Sequence, residues 1–307
     1  MPDTDLWWRA PALRGELDAI LGLINKARRQ IGRDDEAAAR KLCDALNRAW
    51  NARARLESGP KPDSDWAHLK ALICSLPADD ALGLLRSGQL RDLAMIDPLI
   101  LNHRKLLDRG FVGSVAEIPD PVRREASEAH RRLGSALEHL PDETSSAQMD
   151  GALGRMADLL YVIRSNLQHG EKFASADPAR IARDRVIAEK AAAVLELFFD
   201  LVFARPSTAL AVYGSLAPGG VHHDQLDSIV GEWVQGAVRG QLSDGPFPRL
   251  DPTPAADEVS VQLLWHADGL PDRWSQLDTL EGNDYQRVLV VVETGVEGLL
   301  IANLYAA

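Results

Sequence analysis

The sequence predicts two unlike architectures in series: an all-α part up to about Phe203, then an α+β part rich in strands. Three observations carry this. Apolar residues recur at three- and four-residue spacing through the first part, the period of a helix with one buried face. The pattern breaks at Arg205-Pro206-Ser207, and beyond it apolar residues alternate with polar ones or run continuously over several positions, as strands do. A chain of 307 residues, 46% hydrophobic and 26% charged, has room for two such parts, each with its own core.

The helical elements follow in order. Leu13, Leu17, Ile20, Leu21 and Ile24 form one apolar stripe, and Ala38, Leu42, Ala45, Leu46 and Ala49 a second. Gly59-Pro60-Lys61-Pro62 interrupts the pattern, and shorter helices are predicted around Trp66 to Leu76 and Leu99 to Leu107. Aspartate followed by proline, at Asp97-Pro98, Asp120-Pro121 and Asp177-Pro178, signals three further starts, because the acid can cap free N–H groups and proline suits the first helical position. Helices are therefore predicted from about Pro121 to Leu140, Ala147 to His169 and Pro178 to Phe203. After the break come the strand-like Ala209 to Tyr213, the alternating Val259, Val261 and Leu263, and the apolar runs Val288 to Val292 and Leu299 to Leu304. Asp244-Gly245-Pro246 and Thr294-Gly295 read as turns, and one short helix carries Glu281.

The net charge of −11 is unevenly placed. From Pro206 onward there are four arginines, no lysine and fourteen acids, against 30 bases and 31 acids in the first 205 residues. An acidic carboxyl-terminal part repels nucleic acid, so a polyanionic partner would meet the arginine-rich amino-terminal part. Cys43 and Cys74 have neither metal-ligand spacing nor the density of a disulfide scaffold, which reads as ordinary thiols in a reducing cytoplasm. Met1 to Arg14 lacks the pattern of a signal peptide, and no stretch approaches the roughly 20 apolar residues that span a bilayer, so no membrane partner is expected.

Two stretches carry chemistry in the strand-rich part. Tyr213-Gly214-Ser215-Leu216 takes an apolar strand into a glycine-containing loop, which can aim backbone N–H groups at an anion, with Gly214 permitting close approach. Further on, Glu281 follows Leu277 by four residues and Trp274 by seven, hence shares their helical face. A carboxyl turned with leucine and tryptophan toward a core has a raised pKa, which suits proton shuttling near neutrality. The plain alternative is a surface helix ended by a Gly282 cap.

With Gly219, His222-His223, the stretch Trp274-x-x-Leu277-Asp278-x-Leu280-Glu281-Gly282, Tyr285-x-Arg287 and Ala302-Asn303-Leu304-Tyr305, these make the segment from about Ala209 to Tyr305 resemble the gamma-glutamylcyclotransferase-like family in its small gamma-glutamylamine form. The resemblance implies a small mixed sheet curled into a partial barrel around the site. It implies an intramolecular reaction with no cofactor and no metal, in which the α-amine of a γ-glutamyl group attacks its own γ-carbonyl, closes 5-oxoproline and expels an amine or amino acid. Glu281 is then the one carboxyl that takes and returns the proton, and Tyr213, Gly214, Ser215 and Leu216 meet the substrate's α-carboxylate. Tyr285 and Tyr305 either line the pocket through their hydroxyls or are core residues with one satisfied hydroxyl. Arg287 reads as a structural partner to an acid and His222-His223 as a surface turn. The Gly-Tyr-Pro segment common in the family stands here as Gly245-Pro246-Phe247-Pro248, which leaves pocket shape and the leaving amine open.

In the helical part, Tyr161 to Phe173 places Arg164, Asn166 and His169 at the end of an apolar helix, before Gly170. This resembles the HEPN families, whose mark is an arginine followed at short spacing by a histidine, over roughly Pro121 to Phe203. That resemblance implies a homodimer and, in many members, a metal-independent ribonuclease of toxin or antiviral systems, with RNA as partner. His169 would handle the 2′-hydroxyl or leaving oxygen and Arg164 the phosphate. Positions five apart lie about 140° around an ideal helix, so a two-fold dimer or an unwound end would have to bring such motifs together. The structural alternative is that both residues complement the helix dipole and Gly170 caps the end.

By sequence character the chain thus divides into a helical extension (1–90), a HEPN-like helical domain (91–205) and a gamma-glutamylcyclotransferase-like domain (206–307). Three functions stay open: a cyclotransferase acting on a γ-glutamyl small molecule and carrying a helical dimerisation module, a ribonuclease regulated by its small-molecule domain, and a ligand sensor without turnover.

Overall fold

The computed structural model describes residues 6–56, 64–96, 100–111, 118–169, 178–243 and 248–307, apart from the side chains of residue 169 and residues 178–180. The chain forms two compact units, Met1–Asn25 with Val202–Ala307, and Lys26–Leu201. The strand-rich part is thus joined by the first 25 residues, which sequence character had grouped with the helical extension, and the helical unit runs from 26 to 201 across position 90.

Helices α2 (Asp35–Leu56), α3 (Asp65–Ile73), α4 (Ala78–Arg86), α5 (Gly88–Ala94), α6 (His103–Asp108), α7 (Asp120–Ala126), α8 (Glu128–Glu138), α9 (Ser146–His169) and α10 (Pro178–Val202) make up the helical unit, while most of α1 (Arg14–Arg28) belongs to the other unit. α2 buries Ala38, Leu42, Ala45, Leu46, Ala49 and Trp50, one stripe at helical spacing. Ser64, Ser87 and Asn102 cap α3, α5 and α6 by accepting the amides of Ala67, Leu90 and Lys105. The long helix expected from Pro121 to Leu140 is two, because the chain leaves helical geometry at the fully buried Ser127. Asp120 is the first helical residue there and not a side-chain cap. The Asp97-Pro98 signal and Asp177 lie outside the described residues. No helix among the described residues is long and apolar enough to cross a membrane.

The strand-rich unit contains β1 (Leu210–Val212), β2 (Glu232–Ser243), β3 (Arg249–Pro252), β4 (Glu258–Trp265), α11 (Leu270–Glu281), β5 (Gln286–Thr294) and β6 (Gly298–Ala306). The sheet order is β3-β2-β4-β1-β6-β5, and β5 pairs back onto β2. Five strands therefore close a barrel, with β3 extending the far end of β2. β1 is antiparallel to β4 and parallel to β6, and the other ladders are antiparallel. Closure rests on two residue pairs, Gly236 with Thr294 and Ala237 with Glu293. A Cβ on Gly236 would stand 2.6 Å from a Val292 methyl carbon, so only glycine lets β2 approach β5 this closely.

The barrel core follows the period of two. Val261 and Leu263 on β4, Val288, Val290 and Val292 on β5, and Leu300, Ala302 and Leu304 on β6 share one cluster. On the other face of β1 and β6, Leu210, Val212 and Tyr305 join Leu270, Trp274 and Leu277 of α11, which places that helix on the outside of the barrel. The first residues of the chain complete the unit. The Asn25 amide pairs with both backbone groups of Leu289 on β5, donating to its carbonyl at 2.9 Å and accepting its N–H at 2.7 Å. Arg14 meets Glu293 at 2.8 Å, Arg9 meets Glu297 at 3.8 Å, and the Trp8 indole donates to the Val202 carbonyl at 2.8 Å.

Candidate active site

Glu281 ends α11, one turn beyond Leu277 and two beyond Trp274, both buried. The helix stops there because Gly282 adopts a left-handed φ of 69°, which a side chain resists. The carboxyl is half-buried, and desolvation raises its pKa above the usual glutamate range, with His222 acting in the opposite direction. An acid in that environment holds its proton to higher pH than a surface glutamate.

His222 lies at the end of the loop that leaves β1. Turns from Ala217 N–H to the Gly214 carbonyl at 3.0 Å, and from Gly220 N–H to the Ala217 carbonyl at 2.7 Å, fold the loop on itself, and His222 N–H closes it onto the Ser215 carbonyl at 3.0 Å. A Cβ on Gly220 would stand 2.2 Å from that same carbonyl oxygen, so the crossing requires glycine. Among the described residues, the N–H groups of Gly214, Ser215 and Leu216 donate no hydrogen bond. Three successive amides at the end of a strand with no acceptor among the described residues are chemically suited to an anion.

The tyrosines are placed by the protein itself. The Tyr213 hydroxyl donates to the Tyr305 carbonyl at 2.9 Å and accepts the Leu250 N–H at 3.2 Å. Burial raises its pKa, and the charge of Glu281 adds to the rise, which puts the two groups within electrostatic reach. The Tyr305 hydroxyl donates to Asp278 at 2.7 Å, and the Tyr285 hydroxyl to the Pro248 carbonyl at 3.4 Å. Arg287 holds Asp278 with both arms of its guanidinium, at 2.9 and 3.2 Å, while stacking 4.5 Å over the Trp274 ring. That assembly lines an open groove of about 790 Å³ with Pro271, Thr279 and Asn283, on the flank of α11.

The structure thus brings together Glu281, His222, Tyr213, Tyr285 and Tyr305 around the loop of Gly214, Ser215 and Leu216. Sequence reasoning gave no role to Asp278, although it orients both Tyr305 and Arg287; its three-residue offset from Glu281 on one helix was the available signal. It also passed over Arg249, whose guanidinium lies 5.7 Å from the Tyr285 ring centre. The Gly245-Pro246-Phe247 part of the segment before it lies outside the described residues. In the helical unit, Arg164 is 14% exposed, 3.5 Å from Asp65 and stacked against Trp50 and Tyr161. The Asn166 amide donates to the Leu101 carbonyl at 2.7 Å and accepts the His103 N–H at 3.0 Å, clamping the approach to α6. The side chain of His169, like Gly170, lies outside the described residues.

Residues 210–307 match the family model described as Gamma-glutamyl cyclotransferase, AIG2-like. The carboxyl-terminal domain is gamma-glutamylcyclotransferase-like. Similar solved structures include At5g39720.1 from Arabidopsis thaliana, 27% identical over 32% of this chain and 66% of that one, with a TM-score of 0.28. YkqA from Bacillus subtilis is 26% identical over 32% of this chain and 35% of its own, again with a TM-score of 0.28. The chain therefore spans less than two thirds of either. No curated protein matches. The gamma-glutamylcyclotransferase-like domain begins at the strand that leads into the Gly214 loop and includes Glu281.

Proposed function

We propose that this domain releases 5-oxoproline from a γ-glutamyl amine or peptide, with Glu281 as general base and then general acid. The observation that carries the reading is the pairing of a desolvated glutamate with three unspent amides at the Gly214 loop. The amides receive the α-carboxylate of the γ-glutamyl group. Glu281 takes a proton from the α-ammonium, the freed amine attacks the γ-carbon and then sheds a second proton, and the carboxyl returns protons to the departing nitrogen, which leaves as its ammonium. Held by its carboxylate, the flexible chain is folded toward the geometry of attack, and that restriction supplies much of the acceleration. The helical unit is then a cytoplasmic homodimerisation module.

The test is release of 5-oxoproline from a panel of γ-glutamyl amines and dipeptides by the whole protein. Glu281→Gln keeps shape and removes the proton relay, so turnover falls at least about a hundredfold. Undiminished turnover in the variant would falsify the mechanism, and binding without turnover in the wild type would leave a ligand sensor. A metal-independent ribonuclease using Arg164, Asn166 and His169 is the alternative for the helical unit, although Arg164 and Asn166 already have protein partners. Chelator-resistant cutting of labelled RNA, lost in Arg164→Ala and His169→Ala, is the result that would establish it.

A further inference from the structure

The gamma-glutamylcyclotransferase-like domain is acidic, with four arginines against fourteen acids from Pro206 onward, so an anionic substrate needs local positive charge to enter. Two of the arginines are spent on hydrogen bonds: Arg273 on Gln276 and Ser228, Arg287 on Asp278. Arg239, on β2, has Glu258 at 3.9 Å. Arg249 stands elsewhere, at the start of β3 and beside the candidate site. Its neighbour Leu250 donates its N–H to the Tyr213 hydroxyl, and its own positive charge opposes the rise in that hydroxyl's pKa. Its guanidinium lies over the Tyr285 ring at 5.7 Å, and its side chain is 49% exposed. Asp284 forms a solvent-exposed ion pair with it at 3.7 Å, itself 78% exposed and beyond hydrogen-bonding distance, so among the described residues the guanidinium fork makes no hydrogen bond.

We infer that Arg249 is a specificity residue that receives a carboxylate carried by the departing amine, so that the substrates are γ-glutamyl amino acids and peptides, not simple γ-glutamyl amines. This rests on the proposed cyclotransferase reading. With the α-amine at Glu281 and the α-carboxylate at the Gly214 loop, the rest of the substrate must extend from the γ-carbon past the tyrosine side of the site. A guanidinium beside an aromatic ring offers a planar fork there, the geometry that a carboxylate accepts through two parallel hydrogen bonds. The reaction balances within the substrate: the α-nitrogen bonds to the γ-carbon, the bond from that carbon to the leaving nitrogen breaks, and the two protons that the α-ammonium loses in becoming a lactam N–H both end on the departing nitrogen, which leaves as its ammonium, with Glu281 as the relay.

The experiment compares γ-glutamylglycine with γ-glutamylmethylamine, which differ in that carboxylate, on wild type, Arg249→Gln and Arg249→Lys. The wild type is expected to favour γ-glutamylglycine by about tenfold in kcat/KM, the discrimination of one charge-assisted contact in a wet site, expressed mainly in KM. Arg249→Gln brings the ratio to near one and Arg249→Lys retains part of it. Equal or reversed preference in the wild type, or a proportionate loss on both compounds in Arg249→Gln, would overturn the inference. Should no γ-glutamyl compound be turned over, the cyclotransferase reading fails by itself. Calorimetric binding of both compounds to Glu281→Gln and to the Glu281→Gln, Arg249→Gln double variant then decides: tighter γ-glutamylglycine binding that depends on Arg249 supports the assignment, and equal affinities reject it.

Discussion

The Tyr213 hydroxyl donates to the main-chain carbonyl of Tyr305 at 2.9 Å, tying the entry of the loop after β1 to the end of the last strand. Because the same oxygen accepts the Leu250 amide, Tyr213 fixes three segments at once: the loop after β1, the end of β6 and β3. Tyr213→Phe leaves a partly buried amide and carbonyl without their partner. The domain is expected to lose about 1–3 kcal/mol, read as a shifted denaturant midpoint at constant slope. An unshifted midpoint would mean that water replaces the hydroxyl without penalty.

Glu281→Gln should separate activity from stability. Burial raises the folded-state pKa of Glu281 above its unfolded value, so the folded chain binds more protons than the unfolded chain between the two. Stability from this group is therefore full below the unfolded pKa and falls as pH rises through the folded one. Glutamine lacks that penalty. The variant should melt higher than wild type at pH 7, with the gap closing as pH falls to about 4, while 5-oxoproline release is lost. A variant that melts lower at pH 7 would mean the carboxylate has a stabilising partner when ionised.

Gly220→Ala probes the loop without touching a polar group. A Cβ placed 2.2 Å from the Ser215 carbonyl forces the loop open and moves the amides of Ser215 and Leu216. Displacement of that order is expected to lower kcat/KM by about tenfold to a hundredfold while the helical circular dichroism stays intact. Wild-type kinetics would show that the amides are not part of the site.

Asn25→Ala tests the contribution of the amino-terminal residues to the barrel. The substitution strands the N–H and carbonyl of Leu289, which Asn25 satisfies at 2.7 and 2.9 Å. The expected cost is about 1–3 kcal/mol in the unfolding of this unit, followed by hydrogen exchange at Leu289. Protection at that amide equal to wild type would show that another group takes its place.

The fold was legible wherever one face of an element meets a core. α9 and α10 start within a residue of where the pattern puts them, and β1, β4, β5 and β6 fall on the expected apolar segments. β2 escaped because Gly236 and Gly240 interrupt its alternation, and both serve the close strand approach that closes the barrel and seats β3. α4 and α5, nine and seven residues long, are too short for periodicity to stand out. At the site, the face shared by Glu281, Leu277 and Trp274 follows from spacing on one helix. The guanidinium of Arg249 over Tyr285 does not, since it depends on how a strand and a distant loop meet.

A barrel that borrows its first 25 residues across an intervening helical unit cannot be finished in the order it is made. Trp8 and Asn25 leave the ribosome with their partners Val202 and Leu289 still unwritten. At common synthesis rates the wait is on the order of ten to forty seconds, long enough for the helical unit to fold while those side chains stay exposed. Completion of the barrel therefore waits on contacts between residues made at the start of synthesis and residues made near its end.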